Sequence, residues 1–258
     1  RFDEERNLHC AEELQKAGDH VIYGFRGLKT HTKLALVVRK EGDGLRSYAH
    51  IGTGNYHVKT ARMYTDFGLF TCDPVLTRDV VTLFHHLTGY SRSPRFEKLL
   101  VAPLNMRTRF VDLIAREAAN ARAGRPARIV VKVNQLEDGP ICEALCDASN
   151  AGVPIDLIVR GFCCLRPGIT GLTENVRVRS IIGRFLEHGR VFHFANGSED
   201  PLAGDFLLGS ADWMDRNLSR RVEAVAPVEN RHLRERLWEV LQLQLADQRN
   251  AWIMQADG

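Results

Sequence analysis

The chain has 258 residues, of which 44% are hydrophobic, enough for a substantial buried core in one large or two small domains. Its apolar runs fall short of the ~18 residues that a membrane-spanning helix needs. Its charged start, RFDEERN, is unlike a secretory signal peptide, so we expect a cytoplasmic protein. The net charge of +3 is too small to identify a polyanionic partner. The six cysteines show neither a CxxC pair nor zinc-ligand spacing, so we expect reduced thiols.

Strand-like and helix-like patterns alternate from the start of the chain. Runs of β-branched and aromatic residues predict strands at residues 21–25, 34–38 and 46–52. A helix is predicted from Thr77 and ends at Gly89, after which residues 91–105 have the Ser and Pro content of a connector.

The alternation continues more regularly beyond the connector. The patterns predict helices at residues 106–124, 139–152 and 230–246, and strands at residues 128–134, 153–161, 176–182, 190–196 and 205–211. This order is typical of α/β architecture, and we expect two tandem α/β domains with mixed sheets flanked by helices, at residues 1–98 and 99–258. Because the chain opens within a few residues of a helix, we expect the first domain to be incomplete and the chain to be a piece of a longer protein.

A short motif near the start of the chain combines a histidine with a base. His31 and Lys33 are separated by one residue, and the small-residue tetrad GTGN begins 21 positions after His31. The tetrad ends at Asn55, and Asp66 follows 11 positions later.

The same arrangement recurs in the second half of the chain. His188 and Arg190 are again separated by one residue, and the tetrad GSAD begins 21 positions after His188. It ends at Asp212, and Glu223 follows 11 positions later. Matching residue types at two matching offsets indicate a duplicated site, whereas one isolated His-x-Lys would indicate little.

The duplicated residues suit phosphoryl transfer. A neutral imidazole becomes a usable nucleophile when a carboxylate orients its other ring nitrogen, and Asp66 or Glu223 could serve either histidine. Lys33, Asn55 and Arg190, with the hydroxyl and backbone N–H groups of the tetrads, are predicted to hold phosphoryl oxygens. Two facing half-sites would provide one histidine for attack and a second for proton transfer, as transfer through a covalent intermediate requires.

His-x-Lys followed by Gly-Ser/Thr-x-Asn, present twice, resembles the phospholipase D superfamily. That superfamily usually has an Asp five residues after the Lys, where this chain has Val38 and, in the second copy, Ala195. Arg190 also replaces the second Lys. These departures argue against a phosphodiesterase or nuclease, which remains an alternative together with a non-catalytic polyanion-binding role.

Longer segments resemble the C-terminal catalytic half of bacterial polyphosphate kinases, which share the phospholipase D fold. They are RFDEERN, LKTHTKLALVVRK, YAHIGTGNYHVKTARMYTDFGLFT, IDLIVRGFCCLRPGI and IIGRFLEHGRVFHFANG, and together they cover nearly the whole chain. The resemblance implies two phospholipase-D-like catalytic domains. It also implies reversible transfer of the terminal phosphate of ATP to inorganic polyphosphate through a phosphohistidine.

The resemblance also implies roles for single residues. His31 matches the phosphorylated histidine, and His188 matches a second histidine that acts as general acid or base and meets the nucleotide phosphates. Tyr64 and Arg160 match nucleotide contacts, and the less favoured alternative for Tyr64 is an ordinary half-buried aromatic. Arg1 matches a magnesium-phosphate contact, and because a guanidinium cannot ligate a cation, we expect Arg1 to bind phosphate oxygens.

Ligands and partners follow from the same resemblance. It implies Mg²⁺ as cofactor, ATP, ADP and inorganic polyphosphate as ligands, and a homo-oligomer for the full-length enzyme. It implies no nucleic-acid partner and at most a peripheral association with membranes. The family's helical domains are not recognisable in this sequence, so we expect the chain alone to bind polyphosphate but to synthesise it poorly.

Overall fold

The computed structural model describes residues 2–24, 27–90 and 93–258, with side chains from residue 8 onward. The α-helices are α1 (Phe2–Lys16), α2 (Val58–Ala61), α3 (Pro74–Leu87), α4 (Met106–Arg122), α5 (Gly139–Asn150), α6 (Asp215–Arg220) and α7 (Arg231–Ala246). The strands of the first half are β1 (Lys29–Thr30), β2 (Leu34–Glu41), β3 (Gly44–Gly52), β4 (Tyr64–Thr65) and β5 (Gly68–Thr71). Those of the second half are β6 (Leu100–Ala102), β7 (Ile129–Val133), β8 (Ile155–Val159), β9 (Val176–Ile181), β10 (Leu186–Glu187), β11 (Val191–Phe194), β12 (Asp205–Gly209), β13 (Arg221–Pro227) and β14 (Ala251–Ile253).

A nine-stranded mixed sheet forms the centre of the molecule. Its order is β1-β13-β12-β11-β7-β8-β9-β14, and β6 also pairs with β13. β7, β8 and β9 run parallel, whereas β11 pairs antiparallel with β7 and β12, and β12 pairs antiparallel with β13. The fold is therefore α/β with mixed sheets, as predicted.

Both faces of the central sheet are covered, because alternate residues of a strand point to opposite faces. Ile129, Val131 and Val133 of β7 pack in one apolar cluster with residues of α4 and α5. Val130 packs in a second cluster with residues of α3, α7 and β3. Burial on both faces explains why β7 and β8 read in the sequence as apolar runs, each interrupted by one charged residue, Lys132 or Asp156.

Two smaller sheets complete the fold. β2, β3 and β5 form an antiparallel sheet, in the order β2-β3-β5, that lies within the first half of the chain. β4 pairs in parallel with β10, so this two-stranded pair joins the two halves. β1 also belongs to the first half but pairs with β13 of the second. The division at residues 98 and 99 stays a prediction, and strand pairing crosses it twice.

Most of the predicted elements are confirmed within a few residues, two predictions are wrong, and one long strand was not predicted. Residues 21–24 form no strand, and the last residue of that predicted strand lies outside the described residues. The predicted connector contains the buried strand β6, Leu100–Ala102, which pairs with β13. β13 itself was missed, because Arg221 and Glu223 interrupt its apolar pattern. No helix in the described part of the chain is long and apolar enough to cross a bilayer.

Candidate active site

The first of the two parallel strand pairs places His31 beside an acid from the other half of the chain. β1 runs alongside the start of β13 with Thr30 opposite Val222, and the backbone N–H of His31 donates to the Val222 carbonyl at 2.9 Å. The next position along β13 is Glu223, whose side chain is fully buried. His31 Nδ1 lies 2.7 Å from Glu223 Oε1.

The second parallel pair repeats this arrangement with the halves exchanged. β4 pairs with β10 so that Thr65 lies opposite Glu187, and the backbone N–H of His188 donates to the Thr65 carbonyl at 3.1 Å. The next residue after β4 is Asp66, and His188 Nδ1 lies 2.8 Å from Asp66 Oδ1. Each histidine is thus oriented by the acid of the other copy, which answers the question that spacing left open.

A hydroxyl group supports each acid. Thr53 Oγ1 donates to Asp66 Oδ1 at 2.6 Å and accepts the backbone N–H of Phe67 at 2.9 Å. Ser210 Oγ donates to Glu223 Oε2 and accepts the N–H of the residue that follows Glu223. Since a hydroxyl has one hydrogen to donate, these two groups hold carboxylates rather than phosphoryl oxygens, and the prediction that they bind phosphate is wrong.

The hydrogen bonds also assign the tautomer of both rings. Each carboxylate accepts, so Nδ1 carries the hydrogen and Nε2 keeps its lone pair. Lys33 Nζ, which can only donate, lies 3.0 Å from His31 Nε2, and Arg190 Nη1 lies 3.1 Å from His188 Nε2. Burial lowers the pKa of both histidines against the opposing effect of their acids. Both rings are therefore neutral at and above neutral pH.

The two basic residues differ in their own partners. Lys33 is 5% exposed and, among the described residues, has no carboxylate within ion-pair distance; burial lowers its pKa to about 8. Arg190 forms two bonds with Asp212, Nε to Oδ1 at 3.2 Å and Nη2 to Oδ2 at 3.0 Å. Burial would raise the pKa of Asp212, but the charge of Arg190 and hydrogen bonds, including one from the Asn134 backbone, hold it below its usual value.

Backbone contacts link the two half-sites. Arg190 Nη1 donates to the Thr53 carbonyl at 3.1 Å, and the adjacent Gly52 donates its N–H to the Lys33 carbonyl at 2.9 Å. The charge of Lys33 also acts on His188. The structure therefore brings the two predicted half-sites together.

Tyr64 and Arg160 lie next to His188. The Tyr64 ring centroid is 5.2 Å from that of His188, and Arg160 Nε donates to Asn134 Oδ1 at 2.9 Å. Asn134 Nδ2 in turn donates to the His188 carbonyl at 3.2 Å. Tyr64 and Arg160 line one cavity of about 350 Å³, whose wall also includes Met63, Arg184 and Phe185.

Comparison with known proteins identifies the family. The family model for polyphosphate kinase C-terminal domain 2 matches residues 99–258, and that for C-terminal domain 1 matches residues 1–93. The chain belongs to the polyphosphate kinase family.

Individual polyphosphate kinases align with the entire chain. It is 57% identical over 258 residues to the polyphosphate kinase of Synechocystis sp. and 54% identical to that of Thermosynechococcus vestitus. The crystal structure of the Porphyromonas gingivalis polyphosphate kinase superposes with a TM-score of 0.90 at 37% identity, covering 97% of this chain and 38% of that one. The chain spans about a third of the length of these curated relatives, 35% in both cases.

Arg1 and Asn55 were also singled out from the sequence, Arg1 by the polyphosphate kinase resemblance and Asn55 by the repeat. Arg1 lies outside the described residues. Asn55 is exposed and lines a depression of about 280 Å³ with Tyr64 and Asp66, whereas its counterpart in the repeat, Asp212, is buried against Arg190. The repeat is therefore asymmetric at this position.

Sequence reasoning missed two buried polar residues near the histidines, Lys132 and Asn134. Lys132 Nζ donates to the Gly189 carbonyl at 3.1 Å and lies 3.2 Å from Glu187 Oε2, so it holds the loop on which His188 lies. Asn134 links Arg160 to His188, as described above. The available signal was a lysine and an asparagine within an otherwise apolar strand pattern, RIVVKVN.

The resemblance implies Mg²⁺, and the residues of the site can be compared with the ligands that such an ion needs. In the described ranges, no three His, Cys, Asp or Glu side chains cluster as the ligands of a metal ion would. Asp66 and Glu223, the acids nearest the histidines, are each already bound to a histidine and a hydroxyl. These residues do not fit a resident Mg²⁺ site.

Proposed function

We propose that this chain carries the phosphoryl-transfer centre of a polyphosphate kinase, which moves the terminal phosphate of ATP reversibly to inorganic polyphosphate through a phosphohistidine at His31. The observation that carries the proposal is the His31 ring itself. Its Nδ1 is held by the buried Glu223, its Nε2 keeps a lone pair, and Lys33 Nζ lies 3.0 Å from that Nε2 without an ion-pair partner in the described ranges. Membership of the family favours this function over the phosphodiesterase or nuclease alternative.

The geometry supports attack by His31 Nε2 on the terminal phosphorus of ATP. The new N–P bond forms as the bond from phosphorus to the bridging oxygen breaks, and the electron pair leaves with ADP. Lys33 stabilises the negative charge of the phosphoryl group on His31, because its Nζ lies 3.0 Å from His31 Nε2 and no carboxylate in the described part of the chain lies within ion-pair distance of it. Glu223 stabilises the positive charge that develops on the imidazole.

His188 is suited to proton transfer in both directions. When protonated, its Nε2–H can donate to the leaving oxygen of ADP. When neutral, the same nitrogen can accept the proton of the terminal phosphate of polyphosphate as that phosphate attacks phospho-His31. Asp66 stabilises the protonated ring, since it accepts the Nδ1–H at 2.8 Å.

The cavity beside His188 is the proposed nucleotide site. It combines the Tyr64 ring, which offers a stacking surface, with the guanidinium groups of Arg160 and Arg184, which suit phosphate oxygens. Arg160 has no carboxylate within ion-pair distance in the described ranges, so its charge is available to an anion. We expect Mg²⁺ to enter as part of the substrate, the magnesium complex of ATP, because Mg²⁺ often binds through substrate phosphates.

The nucleophile is tested by substitution in the complete protein. His31→Gln keeps a side chain of similar bulk without a comparable nucleophile, so neither it nor His31→Ala should form acid-labile labelled protein from γ-labelled ATP or make polymer. His232→Gln is the matched control, because His232 is 78% exposed on α7, and it should retain both activities. Acid-labile labelling that persists in His31→Gln would mean that another residue is phosphorylated.

A further inference from the structure

A pair of thiols lies outside the histidine site, with one thiol before Arg160 in the chain and the other after it. Cys142 Sγ on α5 is 3.4 Å from Cys164 Sγ, in the segment that follows β8. Cys164 is exposed and Cys142 is half-buried. Thiols at this separation need a movement of only about 1.4 Å to reach the ~2.05 Å of a disulfide bond.

The segment that carries Cys164 also carries Arg160. Gly161 donates its N–H to the Asn134 carbonyl at 2.8 Å, and Cys164 donates to the Leu136 carbonyl at 3.0 Å. These bonds hold residues 160–164 as one short extension along residues 134–136. Cys164 and Arg160 of the proposed nucleotide site therefore belong to the same short segment, four residues apart.

The two sides of the thiol pair differ in their freedom to move. α5 is fixed in the core by Ile141 and Leu145, both fully buried, on either side of Cys142. The facing segment is open, since Phe162 is 58% exposed and Cys164 is exposed. Bond formation would therefore draw the segment towards the helix and leave the helix in place.

We propose that Cys142 and Cys164 form a reversible disulfide that displaces the Arg160 segment and weakens nucleotide binding. The part of this inference that concerns the nucleotide rests on the proposed function. The oxidant is a small-molecule disulfide of the glutathione class. The Cys164 thiolate attacks one of its sulfurs and releases one thiolate; the Cys142 thiolate then attacks Cys164 Sγ and releases the second. Two protein thiols and one small disulfide become one protein disulfide and two small thiols.

Two neighbouring cysteines, Cys146 and Cys163, could form alternative disulfides that a test must distinguish from the Cys142–Cys164 bond. Cys146 lies one helical turn after Cys142, and Cys163 precedes Cys164. Burial raises the pKa of Cys163 to about 11 and also raises the pKa of Cys146, which disfavours their thiolates. Burial and the adjacent Cys164 thiol likewise raise the pKa of Cys142, so the second step should accelerate with rising pH.

The chemical test uses the complete protein treated with oxidised glutathione and digested with trypsin without reduction. Residues 133–160 and 161–177 are separate tryptic peptides, since Pro167 prevents cleavage after Arg166, and each contains two of the four cysteines. We therefore expect these peptides to be joined in the native protein and in the Cys146→Ser/Cys163→Ser double variant, and to separate on addition of dithiothreitol. Cys142→Ser should instead keep glutathione on Cys164. Absence of the joined peptides in the double variant, or their persistence in Cys142→Ser, would overturn the assignment.

The functional test compares the KM for ATP before and after oxidation. Oxidation should raise KM several-fold in the native protein and in the double variant, and leave it unchanged in Cys164→Ser. A joined peptide with unchanged KM would overturn the coupling to Arg160. A reduced protein that uses no ATP at all would instead count against the proposed function, and the peptide result would still decide the thiol chemistry.

Discussion

Around His31, the basic partner Lys33 has no carboxylate within ion-pair distance in the described ranges, whereas around His188 the equivalent Arg190 is held by two bonds to Asp212. The orienting acids differ too: the Glu223 side chain is fully buried, and that of Asp66 is 21% exposed. Strand register is identical at the two histidines, so these differences do not come from the backbone. We propose that one geometry supports two roles because the charge next to each imidazole is compensated differently. The side whose lysine has no ion pair suits the proposed phosphorylated histidine, and the side whose arginine is paired suits the proposed proton transfer.

The largest expected difference between the His31 side and the His188 side is in the loss of phosphoenzyme formation when the orienting acid of each is replaced. Glu223→Gln presents an amide that can donate to Nδ1 and so favours the tautomer with no lone pair on His31 Nε2. We expect phosphoenzyme formation to fall about 1,000-fold, within the range of effects attributed to general acid–base groups. Asp66→Asn should lower the rate of phosphoenzyme formation only about 10- to 100-fold. The loss is smaller because water can reach the partly exposed pair of His188 and Asp66.

Rapid-quench measurement of labelled protein, with both variants at saturating ATP, gives these rates directly. Equal losses in the two variants would show that the exposure of the acid is irrelevant and would remove the proposed division of roles. Circular dichroism of each variant checks that the fold is retained.

The Arg190–Asp212 pair allows a test through stability rather than activity. Arg190→Met leaves the buried Asp212 without its partner and should lower the free energy of unfolding by about 3–5 kcal/mol. Adding Asp212→Leu removes the orphaned charge and should recover about half of that loss. The recovery is incomplete because the Asn134 N–H, which donates to Asp212 at 2.6 Å, then lacks an acceptor.

Urea titrations of the three proteins, followed by fluorescence, measure these differences. Lys33→Met is the matched control from the other half-site. Since Lys33 has no ion-pair partner among the described residues, its loss leaves no carboxylate unpaired and should destabilise the fold less than Arg190→Met. A larger destabilisation by Lys33→Met would contradict the charge comparison.

The smallest expected effect is a pH dependence that belongs to the His31 side. Burial lowers the pKa of Lys33 to about 8, so the charge next to His31 Nε2 is present below pH 8 and is lost above it. We expect kcat/KM for ATP to fall about tenfold per pH unit above pH 8, since this ratio reports the ionisation of the free enzyme. In Lys33→Arg, kcat/KM for ATP should be lower at neutral pH but should not fall further up to about pH 10, because a guanidinium stays protonated. A fall that persists in Lys33→Arg would assign the ionisation to another group.

The sequence predicted the components of the site better than their pairing. The duplicated offsets identified both histidines, both bases and both acids, since spacing in the chain preserves a repeat. They did not show that His31 binds Glu223 and His188 binds Asp66, because each bond depends on a pair involving a strand of two residues, β1 or β4. Strands so short show no period-2 pattern, so only tertiary structure reveals their register.

The missed elements of the fold have related physical reasons. β13 contains Glu223, a buried carboxylate within a strand, and a charged residue there reads as a break in an apolar run. β6 has only three residues and lies beside Pro103 in a stretch that resembles a loop. The predicted strand at 21–25 had suitable residues, yet strand formation requires a neighbour, and residues 21–24 pair with none in the described part of the chain.

Because the two copies of the repeat exchange their acids, each half of the site depends on the other half. Each histidine is contributed by one half of the chain and its acid by the other, through β1 with β13 and β4 with β10. A motion that slides the halves apart at both strand pairs separates both imidazoles from their acids at once. For the same reason, neither copy of the repeat can change its histidine or its acid without consequences for the other copy.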